Sequence, residues 1–154
     1  MVAVGGGTIH YGAAMPRFWD IDFKQHSMLG PVDGADVADW PFEYADLAPL
    51  YDHLERAIGV QGDMSAMPHD PVLKHAPRSR DYPMKSGPQK RASILVSSGA
   101  RTLGLHPYPF PSAINSEPYN GRPQCNNCGF CNAYGCPTGA RGSALDILHR
   151  ALLT

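Results

Sequence analysis

Four cysteines lie within twelve residues of one another, and they are the only cysteines among the 154 residues of the chain. They occupy positions Cys125, Cys128, Cys131 and Cys136, and a proline follows the last of them. Thiolates this close in sequence can converge on one centre, because the short turns between them aim successive sulfur atoms the same way. No other feature of the sequence restricts the local fold as strongly.

Three interpretations of the cysteines remain open on pattern alone. The Cys-x2-Cys-x2-Cys run matches iron–sulfur ligand spacing, although four residues separate Cys131 from Cys136 where that spacing has three. The run therefore favours a four-iron cluster, or a three-iron cluster if one cysteine is poorly placed. Two disulfides would suit a secreted protein. Structural zinc is less favoured, because zinc-binding pairs usually stand farther apart in sequence.

Composition predicts a chain built from short elements and long, shaped loops. Sixteen glycines and fifteen prolines are well above ordinary usage. The apolar share of 43% nevertheless excludes wholesale disorder. The net charge is −1, and the few basic residues lack interleaved aromatic residues, so a nucleic-acid surface is not expected. No apolar run approaches the roughly 18 residues that cross a bilayer, so no membrane span is expected either.

The first half of the chain holds one clear helical pattern. Apolar residues three and four positions apart predict a helix over 49–58, with Pro49 at its first position after a short turn at 44–47. Residues 19–41 have no such periodicity and are predicted to be irregular, with their aspartates exposed to solvent.

Two further helices are predicted in the second half. One fits residues 88–103, with Pro88 opening the helix and Gly104 closing it. The other fits residues 143–153, because Ser143 is followed three positions later by an acidic residue, which is typical of a helix N-terminus.

A glycine run stands near the start of the sequence. Gly5, Gly6 and Gly7 are followed by Thr8, and His10 comes two positions later. Glycines permit positive φ and let the backbone come close to a ligand. The run matches neither the dinucleotide-binding fingerprint nor a P-loop, and by itself it is typical of a turn.

Taken together, three stretches make the chain resemble the glucose-methanol-choline (GMC) family of flavoprotein oxidoreductases, most closely its bacterial sugar and polyol dehydrogenase branch. The first is VGGGTIHYGAAMPRF at 4–18. The second is WPFEY at 40–44, with Asp46, Leu47, Pro49, Leu50, Tyr51 and Glu55. The third comprises CGFC at 128–131 and GCPTGAR at 135–141.

The resemblance implies a flavin adenine dinucleotide (FAD) cofactor that takes a hydride from a CH–OH carbon of a sugar, polyol or other alcohol. It implies that the backbone at Gly5, Gly6, Gly7 and Thr8 lies close to the flavin. His10 matches a position where some members attach the flavin covalently, and a noncovalent role is the alternative. The cysteine run is similar to a loop that binds an iron–sulfur cluster, and the resemblance implies that this cluster passes electrons toward a haem-bearing partner.

The same resemblance implies a small companion subunit, a cytochrome c subunit and export to the periplasm. The family's pyrophosphate-binding start and its catalytic histidine have no counterpart in these 154 residues, so we expect an internal fragment, inactive alone, with the catalytic base outside this chain. The implied fold class is α+β (mixed α/β), loop-rich, with about three helices and little strand.

The expected organisation is one incomplete domain in four parts: a flavin-contacting glycine loop at 1–18, a helical and irregular segment at 19–124, the cysteine loop at 125–141 and the start of a helix at 142–154. The alternative function is a non-catalytic module whose four cysteines form disulfides or a structural zinc site.

Overall fold

A computed structural model describes residues 3–132 and 134–152, apart from the side chains of residues 149 and 150. The fold is mixed helix and strand with long loops, which confirms the expected α+β class. Its elements are α1 (Asp20–Phe23), α2 (Gln25–Leu29), α3 (Tyr44–Ile58), β1 (Gln61–Gly62), β2 (Met84–Lys85), α4 (Arg91–Thr102) and α5 (Ala144–Ala151), with shorter helical turns at Gly6–Ile9, Met64–Ala66 and His69–Leu73.

The helix α3 runs through Pro49, so the predicted break before this proline is wrong. The helix already begins at Tyr44, because the backbone N–H of Glu43 donates to the Asp46 carboxylate at 2.8 Å and caps the first turn. An interior proline costs about 3 kcal/mol. Burial of Tyr44 and Ile58 near the two ends of the helix offsets that cost.

Residues 19–41 are not wholly irregular, because α1 and α2 lie within them. The Asp22 carboxylate accepts a hydrogen bond from the Trp19 N–H at 2.7 Å, which caps α1. The Asp39 carboxylate accepts one from the Ser27 N–H at 3.0 Å in α2. Two aspartates that were expected to be merely solvated therefore hold short helices in place.

The helix α4 begins at Arg91 rather than at Pro88, and its predicted end is confirmed. Gly104 adopts a φ of 74°, and the Leu105 N–H donates to the Ala100 carbonyl at 3.1 Å, so the last turn is closed by a left-handed glycine. No residue of α4 is buried in the described structure. Its apolar side chains, including Ile94, therefore face outward.

The predicted start of α5 is confirmed at Ser143. The Leu145 N–H donates to the Ser143 hydroxyl at 3.3 Å, and the Asp146 carboxylate accepts from the Ser143 N–H at 2.6 Å. This reciprocal pair satisfies two backbone donors that a helix start leaves open. The helix continues to Ala151, and the predicted end at residue 153 lies outside the described residues.

An extended segment at residues 111–115 forms the centre of the fold. It makes single antiparallel bridges to Ala14, Gln61 and Arg141, which bring distant parts of the chain together. Beside it, β1 pairs in parallel with β2. The surrounding core consists of Ala13, Ile58, Val60, Tyr82 and Ala113.

A buried ionic cluster ties α3 to two distant parts of the chain. The Glu55 carboxylate accepts two hydrogen bonds from the Arg17 guanidinium, both at 2.9 Å, and two from Arg78, at 2.8 and 2.5 Å. Arg17 also pairs with Asp52 and donates to the Tyr44 hydroxyl at 3.2 Å. Both arginines thus use their planar donors bidentately on one carboxylate.

Hydrogen bonding decides the protonation state of this cluster. Burial alone would raise the pKa of Glu55, but the hydrogen bonds from Arg78 and Arg17 outweigh it and hold the pKa below its ordinary value. Burial likewise opposes the charge on Arg17, yet its bonds to Glu55, Tyr44 and Asp52 raise its pKa. The cluster is therefore fully ionised near neutral pH.

Candidate functional site

The glycine run forms a tight turn whose outer side is open. Gly5 and Gly6 have φ values of 91° and 54°, which only glycine adopts readily. The Thr8 hydroxyl donates to the Gly5 carbonyl at 2.6 Å and closes the turn. A Cβ built on Gly6 or Gly7 would meet no atom of the described structure within 4 Å. The backbone at Gly6 and Gly7 is therefore exposed in the described structure.

Arg141 joins the glycine turn to the cysteine loop. Its guanidinium donates to the Tyr11 carbonyl at 2.9 Å and also to the carbonyls of Ile9 and Cys131. The residue is only 8% exposed, so these three bonds form a largely desolvated clamp. Two segments about 130 positions apart in sequence are thereby held side by side.

The stretch around the glycine turn also contacts the start of α5, which directly follows the cysteine loop, and it meets that loop at Asn132. The Tyr11 hydroxyl donates to the Gly142 carbonyl at 2.8 Å, and the Ala144 N–H donates to the Thr8 hydroxyl at 3.0 Å. A Cβ at Gly12 would overlap the side-chain oxygen of Asn132 in the cysteine loop. Glycine is therefore required at position 12 if that side chain is to keep its place.

The structure places His10 on the surface, directly after the glycine turn. Its ring is exposed, and its backbone N–H donates to the Gly7 carbonyl at 3.3 Å. The residue is therefore open to solvent in the described structure.

The cysteine loop is largely exposed. Residues 126–130 are all exposed, and Cys125, Cys131 and Cys136 are half-buried. The loop is fixed at one point by the Cys125 N–H, which donates to the Asn115 carbonyl at 2.9 Å, and at another by the bond from Arg141 to the Cys131 carbonyl. All four sulfur atoms are free thiols.

The thiols influence one another electrostatically. Burial raises the pKa of Cys131, and the neighbouring Cys125, Cys136 and Cys128 raise it further. At Cys136 burial opposes ionisation, but hydrogen bonds from Thr138 and from backbone N–H groups lower the pKa to about 7. The four thiols lie within one loop, and each of them is exposed or half-buried.

The four thiols do not form a metal centre in the described structure. Within residues 3–132 and 134–152, no three cysteine, histidine, aspartate or glutamate side chains are arranged so that they could hold a metal ion. The donor chemistry of four free thiols suits iron or zinc. Among the described residues their geometry does not close around a shared centre, and the assignment of the four cysteines as cluster ligands stays a prediction.

Sequence reasoning missed two residues that organise this region. Arg141 and Tyr11 fall within the stretches that carry the family resemblance, but their spacing gives no sign that they contact each other. The sequence offers no local signal for this contact, because a guanidinium that bonds three carbonyls is recognised only once the fold brings those carbonyls together.

The chain is similar to segments of known oxidases and dehydrogenases. It is 37% identical over 144 residues to 6'''-hydroxyparomomycin C oxidase of Streptomyces lividus, covering 94% of this chain and 25% of that protein. It is 38% identical over 138 residues to the fructose dehydrogenase large subunit of Gluconobacter japonicus, covering 89% and 23%. It is 30% identical over 151 residues to the gluconate 2-dehydrogenase flavoprotein of Pantoea cypripedii, covering 86% and 25%.

The chain thus spans about a quarter of the length of these curated relatives. No known protein-family model matches the sequence. By their names the relatives are an oxidase of 6'''-hydroxyparomomycin C and dehydrogenases of fructose and gluconate, and one is named a flavoprotein. No helix in the described part of the chain is long and apolar enough to cross a membrane.

Proposed function

We propose that this chain is part of an FAD-dependent oxidoreductase of the GMC family that oxidises CH–OH groups of sugars, polyols or other alcohols. The observation that carries the proposal is the open glycine turn, clamped by Arg141 to the cysteine loop, in a chain similar to sugar oxidoreductases. We place the catalytic base outside these 154 residues.

The glycine turn fits the approach of a flat cofactor. The space outside Gly6 and Gly7 is empty within 4 Å of an added Cβ, and both residues are exposed. When bound there, flavin would supply a ring that accepts hydride from the substrate carbon. The glycine turn would bring its backbone close to the flavin, because glycine has no side chain that would block the approach.

Arg141 and Thr8 support the turn in this proposal. Arg141 fixes the carbonyls of Ile9 and Tyr11, and the Thr8 hydroxyl bonds both the Gly5 carbonyl and the Ala144 N–H. Both residues act through the backbone that they hold, so they are positioning residues. His10 is proposed to lie beside the flavin, covalently attached or packed against it.

The flavin proposal is tested with Gly7→Ala in the complete protein that carries this chain. The φ of Gly7 is not positive and its surroundings are open, so the added methyl should leave folding unchanged. It should weaken FAD binding about tenfold or more, because the methyl takes up space next to the ring. FAD retained after dialysis, measured by absorption of the denatured protein, gives the readout.

The matched control is Gly99→Ala on the exposed helix α4, which also adds a methyl in open space. Equal FAD retention in both variants, or no FAD in the unaltered protein, would remove flavin from the glycine turn. Mass spectrometry of denatured protein would separate covalent attachment at His10 from tight noncovalent binding.

We also propose that Cys125, Cys128, Cys131 and Cys136 bind an iron–sulfur cluster. Support comes from the ferredoxin-like spacing and from four free thiols in one region. The described arrangement does not bring three of them around a shared centre, so cluster binding requires the exposed stretch 126–130 to rearrange. Transfer of electrons from flavin to such a cluster stays a prediction.

The cluster is tested by anaerobic purification followed by iron and acid-labile sulfide analysis. We expect both in the unaltered protein and in the control Tyr134→Phe, which alters an exposed side chain of the same loop. We expect neither in the double variant Cys128→Ser with Cys131→Ser, which leaves too few thiols for a four-iron or a three-iron cluster. Absence of iron and sulfide would overturn the cluster. Two disulfides in a thiol count, or bound zinc, would then favour the stapled-loop alternative.

The complete protein is further proposed to work with a small companion subunit and a cytochrome c subunit. The support is that one relative is named as a large subunit. Co-purification of the products of neighbouring genes would test this.

A further inference from the structure

The sequence of α4 gives this helix little intrinsic stability. It contains three serines, Gly99 and the β-branched residues Ile94 and Val96, all of which are weaker helix formers than alanine or leucine. Its N-cap residue, Lys90, makes no side-chain hydrogen bond to the first turn. A helix of 12 residues is marginal in water even with favourable residues. The helix α4 therefore depends on packing.

The described residues supply little of that packing. No residue of α4 is buried, and only Ser97 and Ala100 are half-buried. These two residues share one side of the helix with Ser93, because the three positions are separated by four and three residues. The helix packs extensively against no other helix or strand in the described part of the chain. The side that faces the fold is thus mostly polar and cannot account for the stability of the helix.

Most apolar side chains of α4 lie on a different side, which is open. Ala92, Leu95, Val96 and Leu103 follow one another at helical spacing, and they form the α4 stripe. Val96 is 71% exposed, and Leu103, directly after the helix, is 77% exposed. An amphipathic helix normally turns such a stripe toward a core. Contiguous apolar surface that stays exposed marks a site of interaction.

The length of the relatives indicates what covers the α4 stripe. This chain covers about a quarter of each relative, so about three quarters of such a protein lies outside the matched segment. A covering segment of the same polypeptide is present at every protein concentration. That suits a helix whose formation depends on packing.

A second copy of the chain is a poorer occupant, because the α4 stripe is small. The helix of 12 residues is about 18 Å long and about 10 Å wide, so the stripe offers only a few hundred Å². A stable interface between separate proteins buries about 800 Å² on each partner. Packing within one polypeptide needs less area, since no translational freedom is lost on association.

We propose that the α4 stripe packs against an apolar helix or sheet face of the same polypeptide, outside the 154 residues of this chain. The helix α4 is then a surface where this segment joins the rest of the protein. The inference rests on the part of the proposed function that makes the chain one segment of a longer protein, and it requires neither flavin nor a cluster.

The test is maleimide labelling of single introduced cysteines in the complete protein, read by peptide mass spectrometry so that the four native cysteines are counted separately. Val96→Cys lies on the stripe, and the matched control Ser98→Cys lies at an exposed position on the opposite side of the same helix. We expect Val96→Cys to react at least about tenfold more slowly, because a covered thiol is reached only after local opening. Equal rates would overturn the proposal.

The same labelling rates identify the occupant. Protection of Val96→Cys should persist after about hundredfold dilution and in the isolated monomer, because a segment of the same polypeptide cannot dissociate. Protection that is lost on dilution would assign the stripe to a second copy. Protection that requires an added companion protein would assign it to that protein. Either of these two results would overturn the proposal.

A charge placed on the stripe gives an independent measurement. Val96→Asp should lower the urea midpoint of the complete protein, because it puts a carboxylate into an apolar contact. Ser98→Asp, on the solvent side of the helix, should leave the midpoint unchanged. Equal midpoints for the two variants would contradict a covered stripe.

Failure of this inference is distinguishable from failure of the flavin proposal, because labelling of Val96→Cys does not involve FAD. Slow labelling in a protein that retains no FAD would keep the covered stripe and remove flavin. Fast labelling in a protein that retains FAD would do the reverse. The flavin control Gly99→Ala adds one methyl to the side of α4 that carries the stripe and introduces no polar atom, so it is compatible with a covered stripe.

Discussion

The ionic cluster around Glu55 and the cysteine loop are both built from chemically demanding side chains, but only the first is complete in itself. Glu55 is 4% exposed and receives four hydrogen bonds from Arg17 and Arg78. The cysteine loop exposes residues 126–130 and leaves four thiols free.

The difference shows how each region obtains its geometry. In the ionic cluster, each charge that is removed from water needs a partner within the fold. The charged side chains therefore hold one another in fixed positions. In the loop, the side chains remain near water and are held by a few backbone bonds. Such a loop is free to adapt to something added, which is what the proposed function requires.

The largest effect is expected from Glu55→Gln, which removes the charge that two buried arginines share. Breaking one partner of a buried ion pair costs about 3–5 kcal/mol. Urea denaturation of the complete protein measures the loss. The control is Glu117→Gln, an exposed position expected to change stability by less than about 0.5 kcal/mol. A loss below about 1 kcal/mol for Glu55→Gln would show that the cluster is not a distinct rigid region.

A smaller effect is expected from Arg141→Ala, which releases the glycine turn from the cysteine loop. Hydrogen bonds from a charged donor contribute about 1.5–3 kcal/mol. We expect a loss of about that size, with faster limited proteolysis within 126–130. Arg141→Lys should not restore protection, because one ammonium cannot reproduce the planar fork. Full rescue by lysine would contradict the clamp.

Acidification should weaken the ionic cluster, because the Glu55 carboxylate becomes protonated at low pH. The folded-state pKa of Glu55 lies below its ordinary value of 4.5, so the unfolded chain binds protons first as pH falls. The stabilisation is complete above pH 4.5 and is lost as pH drops toward the lowered pKa. Urea midpoints between pH 7 and pH 3 should fall more steeply for the unaltered protein than for Glu55→Gln. Parallel curves would contradict the assignment.

The smallest effect is expected from Gly12→Ala. Its methyl overlaps the end of the Asn132 side chain, which can swing aside, so the cost should be about 1 kcal/mol. The double variant Gly12→Ala with Asn132→Ala should recover that loss, and Gly135→Ala, in open space, should show none. Failure of the double variant to recover would mean that the contact does not limit the approach of the two segments.

Local signals predicted much of the secondary structure. In the sequence, Ser143 indicates the start of α5 and Gly104 indicates the end of α4, because helix caps depend on residues only a few positions apart. The helices α1 and α2 were missed because four or five residues are too short to show a periodicity. The signal for Glu55 was present, since it shares a helix face with Tyr51 and Ile58, where an apolar residue would be expected.

The site was predicted only in part, for a physical reason. Glycines and cysteines reveal themselves by type and spacing, so positions 5–8 and 125–136 stand out in the sequence. The clamp by Arg141 depends on contacts across about 130 positions, which spacing cannot indicate.

The bond from the Ala144 N–H to Thr8 has a consequence for grafting experiments. Together with the hydrogen bond from Tyr11 to Gly142, it holds the two ends of the stretch 12–141 next to each other at one junction. An exchange of the intervening stretch between relatives would have to keep this junction together with the packing of α3 against α5 and the ion pair between Arg122 and Asp146 at 3.7 Å. Insertions into loops far from this junction should be tolerated, because they need not move either end of the stretch 12–141.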